Sequence, residues 1–172
     1  MTTLRPFAPE EFDALWSAVV WADPTVAVGA MDPELLRGRI ATSGQVTDRE
    51  LLLAIEADGR LVGSIQGYRE GLPDGVFGIG IELFEEADRG KGYGTTAVRA
   101  LAIRLFETGG ARRLEAGTAD ENLAMRALLE RLGFVQEGIL RRWYPSDDGE
   151  GIDCVMYGMT RDDYEDVKTR WT

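Results

Sequence analysis

Six consecutive residues, Arg89-Gly90-Lys91-Gly92-Tyr93-Gly94, hold the most specific chemistry in the chain. Glycines at alternate positions let backbone come close to a ligand, because no Cβ stands in the way. The run from Thr95 to Phe106 has helical spacing, and a helix start offers unpaired N–H groups and a positive dipole end to an anion. Arg89 and Lys91 add two cationic heads at the same point. Residues 89–95 therefore read as a cradle for a pyrophosphate, although a glycine-rich run of this length also serves as a plain turn. Two familiar phosphate motifs fail on spacing. G-x-G-x-x-G needs glycine where Thr95 or Ala97 stands, and G-x-x-x-x-G-K-[ST] occurs nowhere. R-x-x-G-x-G does fit, through Arg89, Gly92 and Gly94.

The rest of the composition narrows the chemistry by exclusion. Histidine is absent from all 172 residues, which removes the usual general base, the usual zinc ligand and the Ser-His-Asp and Cys-His mechanisms. No metal site is expected. Chemistry must use carboxylates, tyrosines, backbone or the single cysteine. Cys154 lies in the strand-like run 152–157 and reads as a small buried apolar residue or, alternatively, a nucleophile. One cysteine allows no intrachain disulfide. A net charge of −11 argues against nucleic acid or an anionic membrane as partner and favours a cationic one. The first twenty residues lack a basic segment leading into an apolar core, so a cytoplasmic location is expected.

The length suggests one domain over residues 1–172. Leu4 to Phe7 reads as a short strand, and Pro9-Glu10-Glu11 opens a helix carrying Phe12, Leu15, Trp16 and Val19. Residues 21–32 read as a loop, and Asp32-Pro33-Glu34 opens a second helix ending near Gly44. Residues 50–56 and 61–68 pair around Asp58-Gly59. Residues 77–84 form a further strand, with Ile79, Ile81 and Leu83 on one face and Glu82 on the other. After the glycine loop, a helix with Val98, Leu101, Ala102 and Leu105 inside stops at Gly109-Gly110. Residues 113–118 are a strand. Asp120 or Asn122 caps a helix that buries Met125, Leu128, Leu129 and Leu132 and ends at Gly133. Residues 135–144 and 152–160 close as a hairpin. A strand meander feeding β-α-β-α units implies an α/β protein with a mixed sheet.

That element order, with the glycine loop, resembles the GNAT superfamily of N-acetyltransferases. The stretch from Asn122 to Gly133-Phe134 resembles the family's second signature. Glu137 to Arg141, Tyr144, Asp153 and Tyr157 are similar to the RimJ/RimL-like branch of ribosomal-protein N-terminal acetyltransferases. The resemblance implies a mixed sheet of about seven strands flanked by about four helices and splayed at the cofactor site. It implies acetyl transfer from acetyl-CoA to a primary amine, on a small molecule or a peptide N-terminus, by direct attack in a ternary complex. A catalytically weak acetyl-CoA sensor or scaffold of the same fold is the alternative. Related enzymes are often dimers, so a homodimer is among the expected partners.

The resemblance also places residues. Backbone at Leu83, Phe84 and Glu85 would pair with the pantetheine arm, and residues 113–118 would splay away to leave a slot for the thioester. Asn122 would contact pantetheine, act as a plain N-cap, or do both. An attacking ammonium must lose a proton, and without histidine a carboxylate is the natural base. Glu82 is the first candidate, against the reading of an exposed strand carboxylate; Glu137 is the second. The chain departs from the pattern at Leu129, where many relatives carry a tyrosine acid, and at Met125, where the branch tends to have serine. The leaving thiolate would then be protonated by water or by a tyrosine elsewhere, such as Tyr144 or Tyr157, and the sequence assigns no general acid. The acidic hairpin turn Asp147-Asp148-Gly149-Glu150, beside Trp143 and Tyr144, reads as a funnel for a cationic amine or as a solvated turn.

Overall fold

The computed structural model describes residues 1–22, 32–69 and 71–171. Seven strands form one mixed sheet, β1 Thr2–Arg5, β2 Glu50–Ala57, β3 Arg60–Tyr68, β4 Val76–Leu83, β5 Arg113–Ala119, β6 Val135–Tyr144 and β7 Ile152–Thr160, in the order β1-β2-β3-β4-β5-β7-β6. Among the described residues five α-helices accompany it: α1 Phe12–Ala22, α2 Pro33–Ala41, α3 Tyr93–Glu107, α4 Leu123–Leu132 and α5 Arg161–Val167. The helix count exceeds the expected four by α5. Its signal was a capping box in which Thr160 and Asp163 bond each other's backbone N–H, directly after the last strand. The chain divides into two compact units, residues 1–70 with 80–101, and residues 71–79 with 102–172.

In the first unit β1, β2 and β3 form an antiparallel meander. The β2–β3 turn needs positive φ at both central residues, and Asp58 (52°) and Gly59 (78°) supply it. Pro9–Glu11 forms a 3₁₀ turn and α1 follows, two residues longer than the sequence pattern. The side chain of Val19 and the loop positions 23–31 lie outside the described residues. The Asp32 side chain caps α2 by accepting from the Glu34 amide at 2.9 Å, and Pro33 opens its first turn. Phe7, Leu15, Leu36, Ile40, Leu52 and Ala54 form one apolar cluster, with Phe12, Trp16, Leu61 and Phe84 packed against it. Removing such side chains from water is the main favourable contribution to folding.

In the second unit β5 pairs in parallel with Val76, Phe77 and Gly78 of β4 and antiparallel with β7 along its whole length. β6 pairs with β7 through two register shifts, one between Gln136 and Gly138 and one between Leu140 and Tyr144. Gly133 ends α4 at φ 91°, and a Cβ there would meet Val167 of α5 at 2.7 Å. Phe106 stacks on Tyr164 with ring centroids 4.6 Å apart. Arg161 donates to the carbonyls of Phe106 and Ala111, closing the end of α3. No helix among the described residues is long and apolar enough to cross a membrane.

Candidate active site

The glycine loop lies in the first unit and opens helix α3. A 3₁₀ turn at Glu86–Asp88 leads into it, with the amide of Asp88 bonded to the Glu85 carbonyl and that of Arg89 to the Glu86 carbonyl. Gly90 and Gly92 take φ of 75° and 84°, and a Cβ built on either meets nothing within 4 Å. Both features fit a bound polyanion. Backbone that only glycine adopts readily turns the chain, and open space lies where side chains would otherwise stand. Thr96 donates to the Gly92 carbonyl at 3.1 Å, so the helical ladder starts there. The N–H groups of Tyr93, Gly94 and Thr95 fall in the first turn, whose amides have no intrahelical partner. Gly94 already lies within the helix and lacks a positive φ, so the conformational requirement rests on Gly90 and Gly92.

Asp88, which carries no local signature in the sequence, fastens this loop. Its side chain is 1% exposed, accepts a forked pair of bonds from Arg60, and takes a third from Lys91 at 3.2 Å. The Arg60 bonds, with help from Lys91, hold the carboxyl below the usual carboxylate range against the opposing effect of burial. Lys91, one of the two cationic heads read from the sequence, thus also ties the loop together. Arg89 is exposed. Tyr93 reaches the other way and donates to Asp58 in the β2–β3 turn at 3.1 Å. Sequence pattern could not single out Asp88, because its partner Arg60 is 28 residues away.

Glu82 stands on β4, three residues before the loop-leading turn at Glu85, and is half-buried. Burial raises its pKa, and the positive charge of Arg89 pulls it partly back. A carboxylate shifted toward neutrality is a stronger proton acceptor at working pH. The strand around it is closely fitted. A Cβ at Gly63 of β3 would lie 2.2 Å from the Glu82 carbonyl oxygen and 3.1 Å from Leu83 Cδ2. Phe84 donates its N–H to the Val62 carbonyl at 3.0 Å and packs on the apolar cluster. Successive strand residues direct their backbone groups to opposite edges, so Leu83 and Glu85 face away from β3. Of the three residues expected to pair with pantetheine, Phe84 already has a backbone partner.

Glu137 occupies different surroundings in the second unit. Its carboxylate takes a forked pair of bonds from Arg113, one of them 2.8 Å long. These bonds hold its pKa down, although burial and the charge of Asp163 act against them. A Cβ at Gly158 would lie 2.5 Å from Glu137 Oε1 and 2.6 Å from Arg113 Nη2, so the glycine leaves room for the pair. That environment suits a structural ion pair better than a base.

The remaining candidates also lie in the second unit. Asn122 caps α4, its Oδ1 accepting from the Met125 amide at 3.1 Å. Leu129 is fully buried and Met125 half-buried, so both serve the apolar stripe of α4. Tyr157 is fully buried and donates to Glu130 at 2.9 Å, a bond that occupies its one proton. Tyr144 is half-buried, with its hydroxyl 3.6 Å from Cys154 Sγ. Cys154 is itself 1% exposed beside Met156, which accords with the apolar reading. At the hairpin tip Trp143 is 63% exposed, but the acidic turn is partly neutralised. Glu150 pairs with Arg142 at 2.9 Å, and Asp148 accepts from Ser146 and from the Glu150 amide.

An acetyltransferase (GNAT) domain family matches residues 2–135. The SPbeta prophage-derived uncharacterized N-acetyltransferase YokL of Bacillus subtilis is 29% identical over 118 residues, 69% of this chain and 66% of that protein. The probable N-acetyltransferase YjcK of the same organism is 35% identical over 89 residues, 50% of this chain and 48% of that one. The matches thus span about half to two thirds of these relatives. Among solved structures, Mycobacterium smegmatis RimJ in complex with CoA-disulfide superimposes with a TM-score of 0.74 at 26% identity, covering 94% of this chain and 82% of that one.

Proposed function

The chain belongs to the acetyltransferase (GNAT) family, whose domain is that of an acetyl-CoA-dependent N-acetyltransferase, and on that premise we propose that it acetylates a primary amine by direct attack on acetyl-CoA, with Glu82 as general base. The observation that carries this reading is one strand, β4, that presents a half-buried carboxylate with a raised pKa and then runs into an open, glycine-lined helix start. We place the pyrophosphate on the first-turn amides at residues 92–95, with Arg89 alongside and Asp88, Arg60 and Lys91 keeping the loop in shape. Backbone at Leu83 and Glu85, on the strand edge that faces away from β3, holds the pantetheine arm.

Acetyl-CoA supplies the activated acyl group. The chain's residues supply position and a proton acceptor. Glu82 takes a proton from the acceptor ammonium, directly or through water. The freed nitrogen lone pair forms a bond to the thioester carbonyl carbon, and the C–S bond breaks. The electron pair leaves on sulfur, and the thiolate takes up, through water, the second proton that the acylated nitrogen releases. No side chain becomes acylated. Among the acceptors, a peptide N-terminus or a small cationic amine fits best: the net charge of −11 attracts cations, and a RimJ protein is among the structural neighbours. We assign all 172 residues to one working domain in the cytoplasm, acting alone or as a homodimer.

A second reading, an acetyl-CoA-binding sensor with little turnover, draws on one observation. The position where many relatives carry a tyrosine acid holds Leu129, fully buried. Incubation with acetyl-CoA and a panel of peptide N-termini, polyamines and aminoglycosides, followed by release of free thiol, separates the two. Thiol release that depends on an amine supports the enzyme. Tight acetyl-CoA binding with no amine-dependent release across the panel selects the sensor.

A further inference from the structure

On the sheet face that carries Glu82, a second polar side chain is held in place by an ion pair that the reaction does not otherwise need. Arg39 of α2 grips Glu50 of β2 with bonds of 2.6 and 2.7 Å, and its Nη2 donates to Gln66 Oε1 of β3 at 2.5 Å. With its oxygen fixed, the Gln66 amide can turn only its Nε2 donors to the open side. The side chain lies flat across Gly80 of β4: a Cβ there would be 3.1 Å from Nε2 and 3.3 Å from Cγ. Gly80 thus makes room for the amide. The Phe84-to-Val62 hydrogen bond and the Gln66–Gly80 contact keep the same strand register, so Ser64 stands across from Glu82. Gly80 and Glu82 are two apart and share a face, roughly 6.6 Å from each other along the strand.

We propose that Gln66 is a positioning residue, whose Nε2 holds a water against the Glu82 carboxylate, and that this water relays the proton of the acceptor amine. The proposal rests on Glu82 being the base. Arg39 and Glu50 act through Gln66 by fixing its amide. Among the described residues, the charged groups that act on the patch are Arg39 of α2 and Glu50 of β2, which neutralise each other, and Arg89 of the loop. The polar group contributed by β3 beside Gln66 is the uncharged Ser64 hydroxyl.

Two variants test this, Gln66→Leu and Gln66→Glu. The first removes the donor at similar volume. The second keeps an acceptor for Arg39, which protects the fold, while removing the donor. Loss of a donor that reaches the ionised carboxylate raises the pKa of Glu82. In both variants the acidic limb of the kcat profile is expected to move to higher pH by about one unit, with KM for acetyl-CoA within about twofold of wild type. A purely structural role would lower Tm or change both constants and leave the limb where it was, and that result overturns the proposal. Glu82→Gln run alongside distinguishes the two layers. If that variant retains the limb, the assignment of Glu82 fails. If it loses the limb while both Gln66 variants leave it in place, only the role of Gln66 fails.

Discussion

Gly63→Ala tests how closely the base is held, and its size follows from the coordinates. The added Cβ would sit 2.2 Å from the Glu82 carbonyl oxygen, whereas real Cβ atoms keep at least 3.0 Å from backbone. The strands β3 and β4 must therefore part by at least 0.8 Å, and no flexible side chain can absorb the shift because the obstacle is backbone. Overpacking of this kind costs about 1–3 kcal/mol. For a chain of this length that lowers Tm by about 2–12 °C. A displacement near 1 Å at a reacting group costs roughly 10²-fold in rate. Kinetics at 25 °C, with both substrates saturating and folding checked by circular dichroism, should show kcat reduced about 100-fold in a protein that is still folded. Gly138→Ala is the control, since a Cβ there meets nothing within 4 Å, and it should leave kcat unchanged. Wild-type kcat and Tm in Gly63→Ala would refute the reasoning, because the close approach that locks Glu82 would then not exist.

Gly92→Val forces a β-branched residue to a φ of 84° and fills the cradle, so calorimetry should find acetyl-CoA affinity weaker by at least about 100-fold with the circular-dichroism spectrum retained. Unchanged affinity would remove the loop from the cofactor site. Asp88→Asn leaves Arg60 and Lys91 without their shared anion, and acetyl-CoA affinity should fall roughly tenfold with a lower Tm. Because its folded pKa is depressed, Asp88 stabilises the loop at pH values above the unfolded carboxylate range, and wild type should lose that contribution only as pH falls through the lower folded pKa. A pH–Tm profile identical in wild type and Asp88→Asn would contradict this. Cys154→Ala should keep activity within about twofold and lower Tm modestly, as expected for a buried apolar side chain. An acetyl adduct on Cys154 that turns over would contradict direct transfer.

Elements with a local signature could be read before any coordinates. The glycine loop, the Asn122 and Gly133 ends of α4 and the Asp58-Gly59 turn each depend on residues a few positions apart. So does the alternation that put Glu82 opposite to Ile81. What escaped notice depends on contacts far apart in sequence. Asp88 is buried by an arginine on β3, and Gln66 is oriented by an arginine on α2, 27 residues away. Gly63 looks like any strand glycine until Glu82 is packed against it. The two carboxylates ranked first and second from sequence are alike in type, and only their neighbours separate them. One is desolvated, and the other is held ionised by Arg113. The missed helix α5 is a different kind of miss, since its capping box at Thr160 and Asp163 was visible in the sequence.

The most direct test of Glu82 as the base is the pH dependence of kcat in Glu82→Gln, with Glu137→Gln measured beside it. Glu82→Gln should bind acetyl-CoA with wild-type affinity, lose roughly 10²–10⁴-fold in kcat, and show no acidic limb. Glu137→Gln, which removes only an ion-paired carboxylate, should keep the limb at its wild-type position. An unchanged acidic limb in Glu82→Gln, or its disappearance in Glu137→Gln alone, would contradict the assignment.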